Sequence, residues 1–321
     1  MHTAQAAAFT RAMLITMRPY LLFLSGITGL AGIAAAGDVP MSVIAPVFIA
    51  SFLSYGFGQA LTDCFQTDTD AISAPYRPLV RGIVRKESVF IASVLGLVVC
   101  CGLFAAGNIL NLFWGGLAVA GLGTYTWFKR RWWGGPWYNA WIVCVLFLMG
   151  YFSGTDILLF AVPETLTPLL LLVFSGYANF VLSGYFKDIE ADRHTGYNTF
   201  PVVFGRLPAA VGSDLFAAGA ILGLGLHLSG VWQKGPDPLS MIPAVVFGAY
   251  GMVLAVRGQV LLHRNREDRN AHAPIRLVVQ SYILLLSAAI AAFHPWWSLF
   301  LIVFYGAFLL VLKYRTEESQ I

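Results

Sequence analysis

The chain has 321 residues, of which 58% are hydrophobic and only 11% charged, and its mean hydropathy is +0.72. Soluble domains carry roughly 25% charged residues, so this composition cannot cover a globule with a solvated surface, and its apolar excess equally excludes disorder. The chain reads as an integral membrane protein, and its 16 acids and 20 bases are scarce enough for their positions to carry information.

A membrane-spanning helix needs about 20 mostly apolar residues. Ten stretches qualify, at 19–36, 41–63, 88–106, 109–128, 138–154, 165–187, 208–229, 241–262, 275–294 and 296–313. The fifth is short and the last two nearly adjoin. The expectation is therefore a single all-α membrane domain over 1–321 with nine to ten transmembrane helices. The runs are continuous rather than alternating in polarity, which argues against a membrane barrel. The first run follows Arg11 and Arg18 and reads as a membrane helix rather than a cleaved signal, because further spans follow. Gly26, Gly29 and Gly32 suit close helix packing in it. Trp132, Trp133, Trp137, Trp296 and Trp297 fall at the expected interfaces. Cys64, Cys100, Cys101 and Cys144 lie in or beside apolar runs without metal-binding spacing.

The bases test this topology. With the N-terminus inside, Arg11 and Arg18 precede the first span. Arg77, Arg81, Arg85 and Lys86 follow the second, and Lys129, Arg130 and Arg131 follow the fourth. Lys187, Arg193 and Arg206 follow the sixth. Arg257, Arg264, Arg266, Arg269 and Arg276 surround the loop after the eighth, and Lys313 and Arg315 follow the tenth. Nineteen of the 20 bases then share one side, and only Lys234 falls on the other. Inner loops are rich in Lys and Arg, so both termini are expected in the cytoplasm, in a plasma or inner membrane. The net charge of +4 suits contact with anionic lipid. No aromatic-interleaved basic patch points to nucleic acid.

Six acids concentrate in two short segments: Asp63, Asp68 and Asp70 at the end of the second span, and Asp188, Glu190 and Asp192 at the end of the sixth. Carboxylates at the edge of the hydrocarbon are costly unless paired or cation-bound. On regular helices Asp63, Gln66 and Asp70 share one face, as do Asp188 and Asp192, while Asp68 and Glu190 point away. Carboxylates hold Mg²⁺, and Mg²⁺ holds phosphates. Arg77 and Arg81 follow the first cluster, and Lys187 and Arg193 lie within the second. Alternating acid and base suits a metal–diphosphate site. Solvated topology charges, or an ion pathway, are the other readings of the same residues.

The run Thr62–Asp63–Cys64–Phe65–Gln66–Thr67–Asp68–Thr69–Asp70, with Pro75–Tyr76–Arg77–Pro78 after it, resembles the first signature of the UbiA superfamily of intramembrane prenyltransferases, NDxxDxxxD followed by PxRP. Residues 187–201 resemble the second, with Asp188 and Asp192 as its DxxxD and Thr199–Phe200–Pro201 downstream. Arg18–Pro19 resembles an Arg-Pro pair common at the family's first helix. The resemblance implies nine helices around a central cavity and Mg²⁺-dependent ionisation of an isoprenyl diphosphate. In it, Asp63, Asp70, Asp188 and Asp192 bind Mg²⁺. Arg77 and Lys187, with Arg193, Arg81 and Arg18, take the diphosphate. Phe57, Tyr177, Phe180 and Tyr185 are the aromatic candidates for facing the carbocation. Two departures stand out: Thr62 replaces the family's Asn, and Gln66 replaces its second acid. Asp68 compensates as a metal ligand if the helix unwinds there. Segment 296–313 also exceeds the family's nine helices. The implied reaction is prenyl transfer to an aromatic or lipid acceptor. Cyclisation of the isoprenyl diphosphate to a terpene is the second reading, and a non-catalytic lipid-binding scaffold the third.

Overall fold

A computed structural model describes residues 2–157 and 162–314, and every regular element among them is a helix. The helices are α1 (His2–Met17), α2 (Leu22–Ala35), α3 (Met41–Asp63), α4 (Thr67–Ser73), α5 (Lys86–Gly107), α6 (Asn111–Lys129) and α7 (Gly135–Ser153). Then follow α8 (Thr167–Gly184), α9 (Ile189–His194), α10 (Phe200–Phe204), α11 (Arg206–Trp232), α12 (Ile242–Arg264), α13 (His272–Phe293) and α14 (Ser298–Tyr314). Each of the ten apolar stretches is helical. Among the described residues eight helices are long and apolar enough to cross a membrane, or nine if α1 and α2 form one bent span. The exception is α6, whose four glycines, Asn111, two threonines and Lys129 dilute its apolar content. Arg315, one of the bases that set the expected orientation, lies outside the described residues.

The helix over His2–Met17 goes beyond the sequence expectation. Its Ala12, Met13 and Met17 pack on Ala60, Cys64, Val84 and Val89, at the end of α3 that carries the first acids. Proline excludes its predecessor from the right-handed helical region, so α1 stops before Arg18–Pro19. Arg18 takes a left-handed conformation (φ 52°), and the axes of α1 and α2 differ by 49°. A non-glycine residue there costs on the order of 1 kcal/mol, which the bonds of its side chain must offset.

The helix α13 is the central post: 94% of its apolar window is buried, against 22% for α14. It is enclosed by protein along most of its length, and the few polar side chains it carries there, Gln280, Ser281 and Ser287, are buried with it. A methyl group on Gly32 would overlap the Phe147 carbonyl, and one on Gly29 the Ser51 hydroxyl, so these glycines let α2 approach α7 and α3 closely. The tenth apolar segment folds back over α2 and α13. The Phe304 and Phe308 rings lie 4.9 and 5.6 Å from that of Phe23, and the Tyr305 hydroxyl donates to Gln280 Oε1 at 3.2 Å.

Candidate active site

The two acid-rich segments meet at one end of the bundle. α3 ends at Asp63, and the chain does not turn helically again until Thr67. This break alters the expected face. The central cavity is walled by Thr62, Gln66 and Asp70, while Asp63 does not reach its surface. Asp63 is instead the hub of a buried ion-pair cluster. Arg18 Nη2 donates to its two oxygens at 3.0 and 3.1 Å, and Gln59 Nε2 donates to Oδ1 at 2.6 Å. Arg77 Nη1 stands 3.8 Å from Asp63 and bonds Asp70 directly. The first segment therefore presents one carboxylate to the cavity, and that one is paired with arginine.

The second segment is built differently. α8 tightens into a 3-10 turn over Tyr185–Lys187, and Asp188 sits at the start of α9. Lys187 and Asp188 face the cavity. The Asp192 amide donates to the Asp188 carbonyl at 2.7 Å, so the two acids are one helical turn apart, as expected. Burial pushes the Asp188 carboxyl up, but Lys187, Lys129, Arg77 and Arg18 outweigh it and hold the group below its ordinary range. Asp192 is fully buried. Its Oδ2 accepts from the Thr199 hydroxyl at 3.2 Å, and its Oδ1 has no hydrogen-bond partner among the described residues. Burial, opposed by Lys129 and reinforced by Asp188, pushes the Asp192 carboxyl up to about 7.

Lys129 lies between the two segments, and sequence reasoning missed it by counting it only as a topology charge. It is 5% exposed and lines the cavity. Its Nζ donates to Gln66 Oε1 at 3.2 Å and stands 3.7 Å from Asp192 Oδ1. It also lies 5.6 and 5.2 Å from the Tyr185 and Tyr197 ring centres. Gln66 Nε2 donates in turn to the Thr126 hydroxyl at 3.3 Å. Tyr125, one turn before Lys129, shares a 3.0 Å hydrogen bond with the Tyr185 hydroxyl. A helical spacing of Tyr125 and Lys129 was the available signal.

Other expected site residues are not brought in. Asp68 is half-exposed and pairs with Arg130 at 3.1 Å, so it is not placed as a metal ligand even though the helix does break beside it. Arg193 pairs with Glu190 at 2.5 Å on the exposed side of α9, and Arg81 is exposed in the loop after α4. Neither lines the cavity. Phe57 packs on Gly96 of α5 rather than facing the cavity, whereas Tyr177, Phe180 and Tyr185 line it, together with Tyr55 and Tyr125.

The cavity has a volume of about 190 Å³. Arg18, Arg77, Lys129 and Lys187 ring its polar end, and Phe104, Gly115 and Met149 mark its apolar depth. From Lys129 to Gly115 along α6 is roughly 21 Å at the helical rise per residue. Among the described residues no three Asp, Glu, His or Cys side chains converge as a metal site, so the four acids expected to bind Mg²⁺ together do not form one cluster. Asp63 and Asp70 are instead paired with Arg18 and Arg77. Of the second segment's acids only Asp188 lines the cavity and is placed to meet a hard cation there, while Asp192 lies fully buried one turn behind it, 3.7 Å from Lys129 Nζ.

Residues 22–277 match the UbiA prenyltransferase family. The digeranylgeranylglyceryl phosphate synthase of Thermococcus kodakarensis is 30% identical over 292 residues, covering 88% of this chain and 98% of that protein. The apo structure of a UbiA homologue from Aeropyrum pernix K1 superposes with a TM-score of 0.65 at 19% identity, over 91% of this chain and 97% of that one. A UbiA homologue from Archaeoglobus fulgidus, solved with DMAPP and Mg²⁺, superposes with a TM-score of 0.62 at 16% identity, over 86% of this chain and 99% of that one.

Proposed function

The chain belongs to the UbiA prenyltransferase family, and on that premise we propose that it transfers a long isoprenyl group from its diphosphate to a glyceryl phosphate lipid, with a divalent cation, Mg²⁺, at the donor site. It is an integral membrane prenyltransferase. The observation that carries the finer reading is one cavity with a cationic end and an aromatic, apolar depth. Its length suits an extended geranylgeranyl chain, and the relative's name supports both that donor and the glyceryl phosphate acceptor. The concentration of bases on the side of the acid motifs supports a cytoplasmic active site.

Arg18, Arg77, Lys129 and Lys187 hold the diphosphate oxygens, and Asp188, the second segment's acid at the cavity wall, would hold the cation. When bound, the cation neutralises charge that develops on the leaving diphosphate. The allylic C1–O bond breaks and its electron pair departs with the diphosphate, where these fixed cationic side chains stabilise it. The tyrosine and phenylalanine faces beside the polar end stabilise the allylic cation and exclude water. The acceptor hydroxyl oxygen then bonds to C1, and its proton passes to the departing diphosphate.

The test is turnover of protein in lipid nanodiscs with Mg²⁺ and geranylgeranyl diphosphate, with and without geranylgeranylglyceryl phosphate. Diphosphate release that depends on the acceptor, with a product heavier by one prenyl group, is expected. Cyclic hydrocarbon formed without acceptor would replace this reading with cyclisation, and release under neither condition would remove it.

A further inference from the structure

The break between α8 and α9 decides where Asp188 points. Asp188 occupies the N-cap position of α9, and its own side chain makes no capping bond. An aspartate there ordinarily turns its carboxylate back to accept from the amide two or three residues on. In this chain that amide is taken. Glu190 N donates to Asp268 Oδ2 at 2.9 Å, 78 residues away in the loop between α12 and α13. Asp268 is in turn ion-paired with Arg206, at the start of α11, and Arg206 Nη1 also donates to the Phe186 carbonyl at 3.5 Å. The backbone on either side of Lys187 and Asp188 is thus held by two side chains from outside the segment. Asp188 has φ -113° and ψ 9°, not the extended conformation of a residue that caps its own helix. Asp188 lies at the cavity wall with Lys187.

We propose that Arg206 and Asp268 are positioning residues for the donor site: Asp268, fixed by Arg206, caps α9 in place of Asp188 and leaves the Asp188 carboxylate to face the cavity. This rests on the reading of the cavity as a diphosphate site with Asp188 at its wall. Neither Arg206 nor Asp268 lines the cavity, and both act through Asp188. An amide in the first turn of a helix has no partner within the helix and needs an acceptor. Removal of Asp268 therefore turns the Asp188 carboxylate back onto the Glu190 amide and away from the cavity. An asparagine at position 268 still offers a carbonyl oxygen and keeps the cap.

The experiment measures the affinity of the full chain in nanodiscs for inorganic diphosphate by calorimetry, with and without Mg²⁺ and with no prenyl donor or acceptor. Asp268→Ala should lose about five- to tenfold of the affinity that Mg²⁺ adds, the equivalent of one helix cap, and keep its metal-free affinity within about twofold. The metal-free affinity is kept because the four cationic side chains of the cavity are untouched. Asp268→Asn should bind as the wild type does. Arg206→Met leaves the carboxylate in place but unheld. It should show the same selective loss in smaller measure, and it carries the test if Asp268→Ala does not fold. In an Asp188→Asn background, Asp268→Ala should add no further loss. Equal losses with and without Mg²⁺ would show that the pair only holds the turn together, and would overturn the proposal. Multiplying losses in the double variant would do the same, as would unchanged Mg²⁺-supported affinity in both Asp268→Ala and Arg206→Met. A wild type whose affinity Mg²⁺ does not raise would overturn it while leaving the diphosphate site intact. Failure of the wild type to bind diphosphate in either condition would remove the underlying reading as well.

Discussion

The two acid-rich segments close on the same cavity but use their charge in opposite ways. In the first, Asp63 and Asp70 are taken up by Arg18 and Arg77, so the acids order the protein's own cations around the cavity. In the second, Asp188 faces the cavity, whereas Asp192 lies fully buried behind it, 3.7 Å from Lys129 Nζ, so one acid is open to a ligand. Similar motifs need not have similar roles: a carboxylate buried among several donors, like Asp63, chiefly positions them, whereas one at the cavity wall can also meet a ligand.

The comparison is broken most directly at Asp188. Asp188→Asn should lower turnover by about 10³-fold, in the range of losing a major electrostatic group, with an unchanged melting temperature in detergent. Near-normal turnover would remove the second segment from the chemistry. Asp63→Ala should act chiefly on stability, because Arg18 and Arg77 would be left buried without their shared partner. A loss of about 3–5 kcal/mol is typical when one member of a buried pair is removed, and a melting curve matching the wild type would show that the cluster is not structural. The apolar depth that both segments serve is tested by Gly115→Val. A side chain there meets Cys101 and Met149. It should shift preference from geranylgeranyl toward farnesyl diphosphate by about tenfold, roughly the discrimination expected of a small change in an apolar pocket. An unchanged preference would place the chain end elsewhere. The smallest effects belong to charges that the structure turns outward. Asp68→Asn, Arg81→Ala and Arg193→Ala should each keep turnover within about twofold, since exposed pairs contribute little. A large loss in any of them would return it to the site.

How much the sequence revealed depended on the range of the interaction. The helical class and all ten helical segments followed from apolar run length, and the second span matches its expected limits of 41–63. Asp188 and Asp192 lie one helical turn apart, as their local spacing requires, although only Asp188 lines the cavity. Asp63 and Gln66 were assigned to one face because a regular helix was assumed through a break that apolar content does not signal. Lys129 was hidden by its place at a helix end, where a lysine that sets topology looks the same as one that enters a cavity.

The composition by itself determined that the chain lives in a membrane, and the two acid motifs marked the end of the bundle where the cavity's charged residues gather. Only the tertiary structure decided which acids face the cavity and which are neutralised behind it. The reason is that these decisions are made by contacts across the fold. Arg18 reaches Asp63 across 45 residues of sequence, and Lys129 reaches Gln66 across 63. Helix periodicity orders neighbours a few positions apart, and it carries no information about charges that meet only when separate helices pack.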